Sequence, residues 1–335
     1  MALRLLHIGF GGWGLDWTRI VRNTPEVEVV GVADMNEAAL EAARIKYDLP
    51  VEAAFLSLEG ALAALEPDAV LITAGAAVHA PLALTALAAG AHVLVEKPFA
   101  PTLPEAERVV DAAAAQGRVL MVSQNYRHFP APWAVRDLVA EGAIGEVGSV
   151  YVDFRVNMLG RLPAGHPYLA LYEPLLLDMA IHHFDLMRFT LAQEPVSVAC
   201  SSWNPPGSPF TYSPAAAATV TMDGGTTVAY RGSWLGAPKT FWAGEWRLEG
   251  SKGRLTWTSR KGGVDDLGGE RVTLRGRLVP LPKLERLGRR GVLTEFAHAV
   301  LNGGEPLSSG VHNLKTLGLT LGAIQSASEG RKLAL

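Results

Sequence analysis

The fold of this chain is decided near its start, by the stretch Leu3-Arg4-Leu5-Leu6-His7-Ile8-Gly9-Phe10-Gly11-Gly12-Trp13-Gly14. Its first six residues are largely apolar and predict a short buried strand. The six that follow match the pattern GxGxxG, in which glycines permit a tight turn. A chain with 35 glycines also produces this pattern by chance, so a plain strand–turn–helix is the alternative interpretation. The residues downstream decide between the two.

The segment after the glycines indicates a dinucleotide-binding site. A helical pattern over residues 17–22 is followed by a second strand, residues 27–33, which ends at Asp34. An acid about 20 residues after the glycine loop is expected to accept hydrogen bonds from an adenosine ribose. The helix start offers N–H groups and a positive dipole end to the pyrophosphate. Because Asp34 repels a 2′-phosphate, the sequence favours NAD over NADP, although cations such as Arg44 keep NADP open.

Strand and helix patterns alternate as far as residue 122, which predicts an α/β fold with a doubly wound parallel sheet. We therefore expect a Rossmann-type NAD(P)-binding domain over residues 1–123. Beyond it, consecutive strands joined by short turns predict a substrate-binding α+β domain over residues 124–335, with a large and mostly antiparallel open sheet. Its strands are predicted at residues 145–157, 196–203, 215–223, 226–235, 242–250, 253–258 and 270–279.

The tripeptide Glu96-Lys97-Pro98 follows an apolar strand pattern over residues 92–95. It therefore places a carboxylate and an ammonium at the carboxyl edge of the parallel sheet, where open α/β sheets bind ligands. Proline restricts the backbone of the residue before it, which limits the directions open to Lys97. The alternative is a surface ion pair beside a turn.

A second chemical motif lies in a helical pattern over residues 178–186. Asp178, His182 and Asp185 fall at i, i+4 and i+7, which predicts one shared helix face. An imidazole flanked by carboxylates suits general base catalysis near neutral pH. A solvent-facing helix with incidental charges is the alternative, and a zinc site is disfavoured because no third histidine completes a local motif. His183 lies about 100° further round the helix and is expected to be structural or to contact substrate indirectly.

Composition limits the function classes. A length of 335 residues predicts two domains. A net charge of −3 gives no footprint for nucleic acid or for a membrane surface. The single cysteine, Cys200, is expected to be a buried thiol, which indicates a reducing, cytoplasmic location. We expect no signal sequence and no membrane span, because no apolar run is long enough.

Together these motifs resemble the Gfo/Idh/MocA family of oxidoreductases, over essentially the whole chain. The matching positions are residues 9–14, Asp34, residues 90–98, residues 125–130, the Asp178/His182/Asp185 helix and residues 326–331. The chain departs from the usual family pattern at Thr73-Ala74-Gly75-Ala76, where Thr-Pro-Asn is typical. Trp13 and Trp17 are also bulkier than the residues usual at their positions.

The resemblance implies a role for each matching residue. Lys97, Asp178 and His182 are expected to be catalytic and to gather beside the nicotinamide. The expected cofactor-binding residues are Gly9, Phe10, Gly11, Gly12, Trp13, Gly14, Asp34, Thr73, His79, Glu96, Lys97 and Gln124. The expected substrate-binding residues are Tyr126, Arg127, His166, Tyr168 and His183, with no metal site. His166 and Tyr168 are included because their loop, residues 159–172, immediately precedes the catalytic helix.

The family activity implied is a reversible NAD(P)-dependent dehydrogenase acting on the CH–OH groups of a sugar, an inositol or a similar polyol. In it, His182 takes the hydroxyl proton, Asp178 orients His182, and Lys97 stabilises the developing alkoxide. Two alternatives stay open: an NAD-using glycoside hydrolase of the same family, and a non-catalytic dinucleotide-binding sensor. The resemblance also implies a homodimer or homotetramer formed through the open face of the second domain's sheet.

Five of the eight tryptophans lie within residues 203–257. Aromatic rings stack on sugars, but they also fill cores and interfaces. We expect these tryptophans to serve sheet packing or a subunit interface rather than a carbohydrate platform.

Overall fold

The structure is a computed structural model that describes residues 2–262 and 268–335, and the chain divides into two compact units. Unit 1 contains residues 1–125 and 289–314, and unit 2 contains residues 126–288 and 315–335. The second stretch of unit 1 was expected in the second domain. It belongs to unit 1 because Val292, Leu293 and Phe296 are buried in the same hydrophobic core as Leu3 and Leu5.

Unit 1 is built on a six-stranded parallel sheet in the order β3-β2-β1-β4-β5-β6. The strands are β1 (Leu3–Ile8), β2 (Val27–Ala33), β3 (Ala54–Phe55), β4 (Ala69–Ile72), β5 (His92–Val95) and β6 (Leu120–Val122). The helices between them are α1 (Gly12–Arg22), α2 (Glu37–Tyr47), α3 (Leu58–Leu65), α4 (His79–Ala88) and α5 (Leu103–Ala115). The predicted doubly wound sheet is confirmed. The strand order reverses between β1 and β4, and such a switch point is where these sheets bind ligands.

Local sequence explains how several of these helices begin. The side chain of Asn36 accepts hydrogen bonds from Ala38 N and Ala39 N at the start of α2. Ser57 caps α3 and Thr102 caps α5 in the same manner. These short polar side chains satisfy N–H groups that a helix start leaves unpaired.

Unit 2 is built on a nine-stranded sheet in the order β14-β13-β12-β11-β7-β10-β9-β8-β15. Its strands are β7 (Val147–Arg155), β8 (Pro195–Trp203), β9 (Ala215–Met222), β10 (Thr227–Ser233), β11 (Glu245–Gly250), β12 (Gly253–Thr258), β13 (Arg271–Leu274), β14 (Arg277–Leu278) and β15 (Leu333–Ala334). Only the β7–β10 pairing among these is parallel, so the predicted, mostly antiparallel sheet is confirmed.

Side chains alternate across this sheet as the strand period requires. Val150, Val152 and Phe154 of β7 are buried in the core of unit 2, whereas Tyr151 and Asp153 point to the other face. The helices of unit 2 include α6 (Pro130–Ala140) and α7 (Ile181–Leu191), and α6 and α7 pack against each other. Two further helices follow in the chain: α8 (Gly288–Asn302), which belongs to unit 1 except for Gly288, and α9 (Gly310–Glu329), of which residues 315–329 belong to unit 2.

The helix predicted over residues 178–186 is in fact two elements. A π-helix, Pro174–Ala180, contains Asp178, and α7 begins only at Ile181. The predicted single α-helix over residues 178–186 is therefore corrected to a π-helical turn followed by α7.

Most tryptophans of residues 203–257 serve packing. Trp234, Trp246 and Trp257 are buried in the core of unit 2, and the rings of Trp246 and Trp257 stack 4.8 Å apart. Trp203, at the end of β8, is 43% exposed. Within residues 2–262 and 268–335, no helix is both long and apolar enough to cross a membrane.

A buried histidine supports the first strand of unit 1. His7 is fully buried, with Nδ1 2.8 Å from the Tyr47 hydroxyl and Nε2 2.8 Å from Thr73 Oγ1. Burial lowers the pKa of His7 to about 3, so the imidazole is neutral in the folded protein. An unfolded histidine titrates near pH 6.5. Between these two values the unfolded chain binds a proton that the folded chain excludes, so acid favours unfolding.

We expect the His7→Gln variant to lose this part of the acid sensitivity. Between pH 7 and pH 5 the free energy of unfolding of the wild type should fall by about 2 kcal/mol more than that of the variant. Urea unfolding of both proteins at the two pH values measures the difference. His312→Gln, at an exposed position, is the control and should follow the wild type. Identical pH dependence in wild type and His7→Gln would contradict the role of His7.

Candidate functional site

The glycine loop of unit 1 contains two glycines that no other residue can replace without movement. Gly9 has φ of 92°, and a Cβ there would lie 2.3 Å from Ala74 N. A Cβ at Gly14 would lie 1.9 Å from Gly9 O. At Gly11 and Gly12 a Cβ would meet no atom of the described residues within 4 Å, so open space lies beside the loop.

The residues present fit a dinucleotide pyrophosphate at this loop. Helix α1 starts at Gly12, within the Gly9–Gly14 stretch, and its N-terminus has no side-chain cap in the described part of the chain. Its first N–H groups are therefore not taken by a capping side chain, and a helix N-terminus attracts anionic groups. The open space at Gly11 and Gly12 allows phosphate oxygens to approach the backbone.

Asp34 lies beside the same loop, at the end of β2. Its Oδ2 accepts a hydrogen bond of 2.6 Å from Phe10 N, and its Oδ1 accepts one of 2.8 Å from Asn36 N. These two bonds fix the carboxylate next to the glycine loop. The Phe10 ring itself is buried, 4.4 Å from the His7 ring, so Phe10 contributes its backbone to this site and its side chain to the core.

Thr73 and His79 support the loops rather than presenting free polar groups. The Thr73 hydroxyl donates to Gly9 O at 2.6 Å. The two ring nitrogens of His79 lie 2.8 Å from Pro98 O and 2.9 Å from Ala74 O. Both residues were predicted to bind the cofactor. In the structure their hydrogen bonds connect the loops that follow β1, β4 and β5.

Glu96 and Lys97 follow β5 at the same edge of the sheet. Glu96 is buried, and its Oε1 accepts a hydrogen bond of 2.8 Å from Trp17 Nε1. Its Oε2 accepts from the backbone N–H of Lys97 at 3.2 Å. Lys97 itself is half-buried, and Gln124, which follows β6, is fully buried. The glycine loop and these residues therefore lie at the carboxyl ends of β1, β5 and β6 in one unit.

Trp13, in the first turn of α1, is 40% exposed. The guanidinium carbon of Arg289 lies 4.6 Å from the centre of the Trp13 ring, within range of a cation–π interaction. The indole is thus supported by a cation while part of its surface stays open beside the glycine loop.

In unit 2, His182 is held by an aromatic stack. The rings of Tyr126 and His182 are 4.1 Å apart and within 6° of parallel. The Arg260 guanidinium carbon lies 3.8 Å from the centre of the same Tyr126 ring. Both His182 and Arg260 are buried. Tyr126 was predicted to bind substrate, and in the structure its ring lies between His182 and the Arg260 guanidinium.

Asp178 has a defined partner in the preceding loop. The Tyr168 hydroxyl donates to Asp178 Oδ2 at 2.8 Å. Burial raises the pKa of Tyr168 well above its ordinary value, and the Asp178 charge raises it further, so the phenol keeps its proton. Tyr168 was predicted to contact substrate. In the structure its hydroxyl fixes the Asp178 carboxylate, and His166 Nδ1 accepts a bond from Tyr168 N at 3.2 Å.

Two residues predicted to bind substrate, Arg127 and His183, are buried in unit 2. Arg127 donates from Nε and Nη2 to the two Asp185 oxygens, at 2.6 Å and 2.7 Å, and both side chains are buried. The ring nitrogens of His183 lie 3.2 Å from the Tyr230 hydroxyl and 2.9 Å from Trp242 O. Burial lowers the pKa of His183 to about 4, which keeps the ring neutral. These contacts fit the structural role expected as one alternative for His183, and the substrate role of Arg127 stays a prediction.

Sequence reasoning missed Arg260 and Arg289 and noted only the bulk of Trp17. The two arginines lie far along the chain from the motifs they contact, and no local pattern distinguishes them from surface cations. In the described part of the chain, no group of three or more His, Cys, Asp or Glu side chains is arranged to hold a metal ion.

Comparison with family models gives two matches that follow each other along the chain. Residues 3–124 match the GFO/IDH/MocA model described as an oxidoreductase family with an NAD-binding Rossmann fold. Residues 133–256 match the model of the GFO/IDH/MocA C-terminal domain.

Named relatives agree with these matches. D-apiose dehydrogenase of Paraburkholderia graminis is 28% identical over 338 residues, covering 98% of this chain and 88% of that protein. Inositol 2-dehydrogenase of Rhizobium meliloti is 31% identical over 204 residues, covering 60% of this chain and 59% of that protein. An oxidoreductase of Agrobacterium radiobacter, solved with NAD+, L-tartaric acid and magnesium, shares the fold with a TM-score of 0.86 at 22% identity. That alignment covers 100% of this chain and 98% of the other.

Proposed function

Because this chain belongs to the GFO/IDH/MocA family of NAD-binding oxidoreductases, we propose that it is an NAD-dependent dehydrogenase of a sugar, an inositol or a similar polyol. The relatives named for D-apiose and inositol support this substrate class. The observation that carries the proposal is the placement of Lys97. Lys97 follows β5 at the sheet edge that also holds Asp34 and the glycine loop at the start of α1.

The bound nicotinamide supplies the hydride acceptor. The His182 imidazole accepts the proton of the substrate hydroxyl as the hydride leaves the same carbon. The Lys97 ammonium stabilises the negative charge that develops on the hydroxyl oxygen. Asp178, held by Tyr168, keeps the orientation of the base. Lys97 and His182 belong to different units, and their action on one substrate is inferred from the resemblance of both motifs to the family pattern.

We also propose that the protein is located in the cytoplasm. Cys200, the one cysteine of the chain, is buried, and burial raises its pKa to about 12, so it is an inert thiol. A chain without disulfides suits the reducing cytoplasm. Recovery of the native protein in a periplasmic or secreted fraction would contradict this location.

Replacement of Lys97 tests the proposed chemistry. We expect Lys97→Met to lower kcat by a factor of about 100 to 1,000, the range typical for the loss of one group that stabilises a transition-state charge. Affinity for NAD, measured by calorimetry, should change little, because the glycine loop and Asp34 are untouched. Lys252→Met, in the exposed turn between β11 and β12, is the control and should keep wild-type kcat. Near-normal turnover by Lys97→Met on a substrate found by screening sugars and polyols would refute the mechanism.

We also propose that NAD is preferred over NADP, on the basis of Asp34. Its carboxylate is fixed beside the glycine loop, where it accepts ribose hydroxyls and repels a 2′-phosphate. Asp34→Asn keeps the shape of the side chain and removes its charge. The ratio of the NADP and NAD dissociation constants should fall by about tenfold or more, which corresponds to roughly 1.4 kcal/mol. Glu37→Gln, an exposed charge removal nearby in α2, should leave the ratio unchanged. Equal changes of this ratio in the two variants would show that it responds to the overall negative charge of the region and not to Asp34 in particular.

We propose that two copies pair through the open face of the unit 2 sheet. This face has a wide, shallow groove of about 760 Å³, and Tyr151, Ala229, Arg231 and Arg247 are among the residues that line it. Tyr151 is 40% exposed, and Arg247 lies over its ring at 4.3 Å. A large aromatic beside arginines is typical of interface composition.

Sedimentation equilibrium tests this interface. The wild type should sediment as a dimer or tetramer, whereas Ala229→Arg, in the middle of β10, should sediment as a smaller species, because the new cation cannot be buried unpaired. Ala64→Arg, on the exposed side of α3 in unit 1, is the matched control and should keep the wild-type mass. An Ala229→Arg protein with unchanged mass would place the interface elsewhere.

A further inference from the structure

One face of α1 is held by a buried cation from a distant part of the chain. Trp13, Asp16 and Trp17 fall at i, i+3 and i+4, which places them side by side on the helix. Arg289, at the start of α8, pairs with Asp16 at 2.5 Å, and its guanidinium carbon lies 4.6 Å from the Trp13 ring and 5.3 Å from the Trp17 ring. The Arg289 side chain is fully buried, and all four residues belong to unit 1.

The same helix face reaches the Glu96-Lys97 pair through one hydrogen bond. Trp17 is fully buried and donates its indole N–H to Glu96 Oε1 at 2.8 Å. A buried carboxylate requires donors, because its desolvation is costly without them. The second Glu96 oxygen accepts from the backbone N–H of Lys97. The position of the Glu96 carboxylate therefore sets the position of the Lys97 backbone, and the Trp17 N–H helps to set both.

We propose that Trp17 is a positioning residue for Lys97, and that Arg289 keeps the Trp17 ring in the place where its N–H meets Glu96. This assignment rests on the proposed function, in which Lys97 stabilises charge on the substrate oxygen. Neither Trp17 nor Arg289 touches the reacting atoms. Their effect passes through the carboxylate of Glu96 to the backbone of the lysine.

A purely structural role for Trp17 makes a different prediction, because the ring is also part of the hydrophobic core of unit 1. The substitution Trp17→Phe retains an aromatic ring and removes the N–H. If Trp17 only fills the core, its replacement should cost stability without affecting the placement of Lys97. If it positions Lys97, turnover should fall more than the loss of stability explains.

Trp246 provides a matched control. It is as deeply buried as Trp17, lies in unit 2, and donates its indole N–H to Ala243 O. Trp17→Phe should lower kcat by about tenfold to a hundredfold, the range that follows from a misplaced catalytic group, with a much smaller change in KM. Trp246→Phe should keep wild-type kcat while losing comparable stability. Equal kcat in the two variants, both folded, would overturn the proposal.

A second measurement uses the protein without cofactor and needs no turnover. Trp17→Phe and Glu96→Gln are compared singly and together by urea unfolding. Residues that share a hydrogen bond give non-additive effects in such a double-mutant cycle, whereas independent residues add. We expect the double variant to be clearly more stable than the sum of the two losses predicts. Additive losses would overturn the proposed Trp17–Glu96 link.

The role of Arg289 is tested against another buried arginine. Arg188, in unit 2, is buried and bonds with Glu194 and Thr316. Arg289→Met and Arg188→Met should both lower stability, since each leaves a charge without its partner. Only Arg289→Met should lower kcat and abolish the non-additivity between Trp17→Phe and Glu96→Gln. If both variants alter kcat equally, Arg289 has no special part in positioning.

Failure of the proposed function can be told apart from failure of this inference. If the wild type binds no NAD and oxidises none of the screened polyols, the proposed function fails. The double-mutant cycle in the cofactor-free protein then still decides whether Trp17 and Glu96 are coupled. If the wild type is active and Trp17→Phe matches Trp246→Phe, the dehydrogenase stands and the positioning role falls.

Discussion

The buried carboxylate of Glu96 is the constraint around which the candidate cofactor site of unit 1 is arranged. A charge taken out of water at the end of a parallel strand must be given hydrogen-bond donors, or it destabilises the fold. The donors here are the Trp17 indole and the Lys97 backbone. Because one donor comes from α1 and the other from the next residue of the chain, satisfying this carboxylate fixes the first helix against the sheet edge and fixes the start of the Lys97 loop at the same time.

A second constraint, of space rather than charge, acts on the glycine loop. Gly14 approaches the carbonyl of Gly9 so closely that a Cβ would overlap it, which brings α1 directly onto the end of β1. The Thr73 hydroxyl then bonds to that same Gly9 carbonyl, and the neutral His7 ring bonds to Thr73. Steric closeness and a buried polar network therefore support one loop. Gly11 and Gly12, where a Cβ would meet no atom of the described residues within 4 Å, leave room for a ligand.

The sequence predicts what depends on local pattern and misses what depends on distant partners. Alternating strands and helices, the glycine loop and Asp34 are readable because periodicity and spacing express them directly. The π-helix that contains Asp178 could not be predicted, because its residues are compatible with an α-helix and with a π-helix. The ion pair between Arg127 and Asp185 was not predicted, because the packing of α7 brings the two side chains together. Arg289 was missed for the same reason, because α8 carries it back to α1.

The structure also distinguishes the two carboxylates that flank His182 in the sequence. Asp185 accepts two bonds from the Arg127 guanidinium and one from Thr316, so its charge is neutralised inside the core. Asp178 accepts a hydrogen bond from the Tyr168 phenol, which is uncharged and therefore adds no positive charge beside the carboxylate. A carboxylate whose charge this partner leaves in place can stabilise an imidazolium, whereas one bound to a guanidinium cannot do so to the same extent. Asp185 therefore holds α7 in the fold, whereas the Tyr168 phenol does not neutralise the Asp178 charge, which supports the orienting role proposed for Asp178.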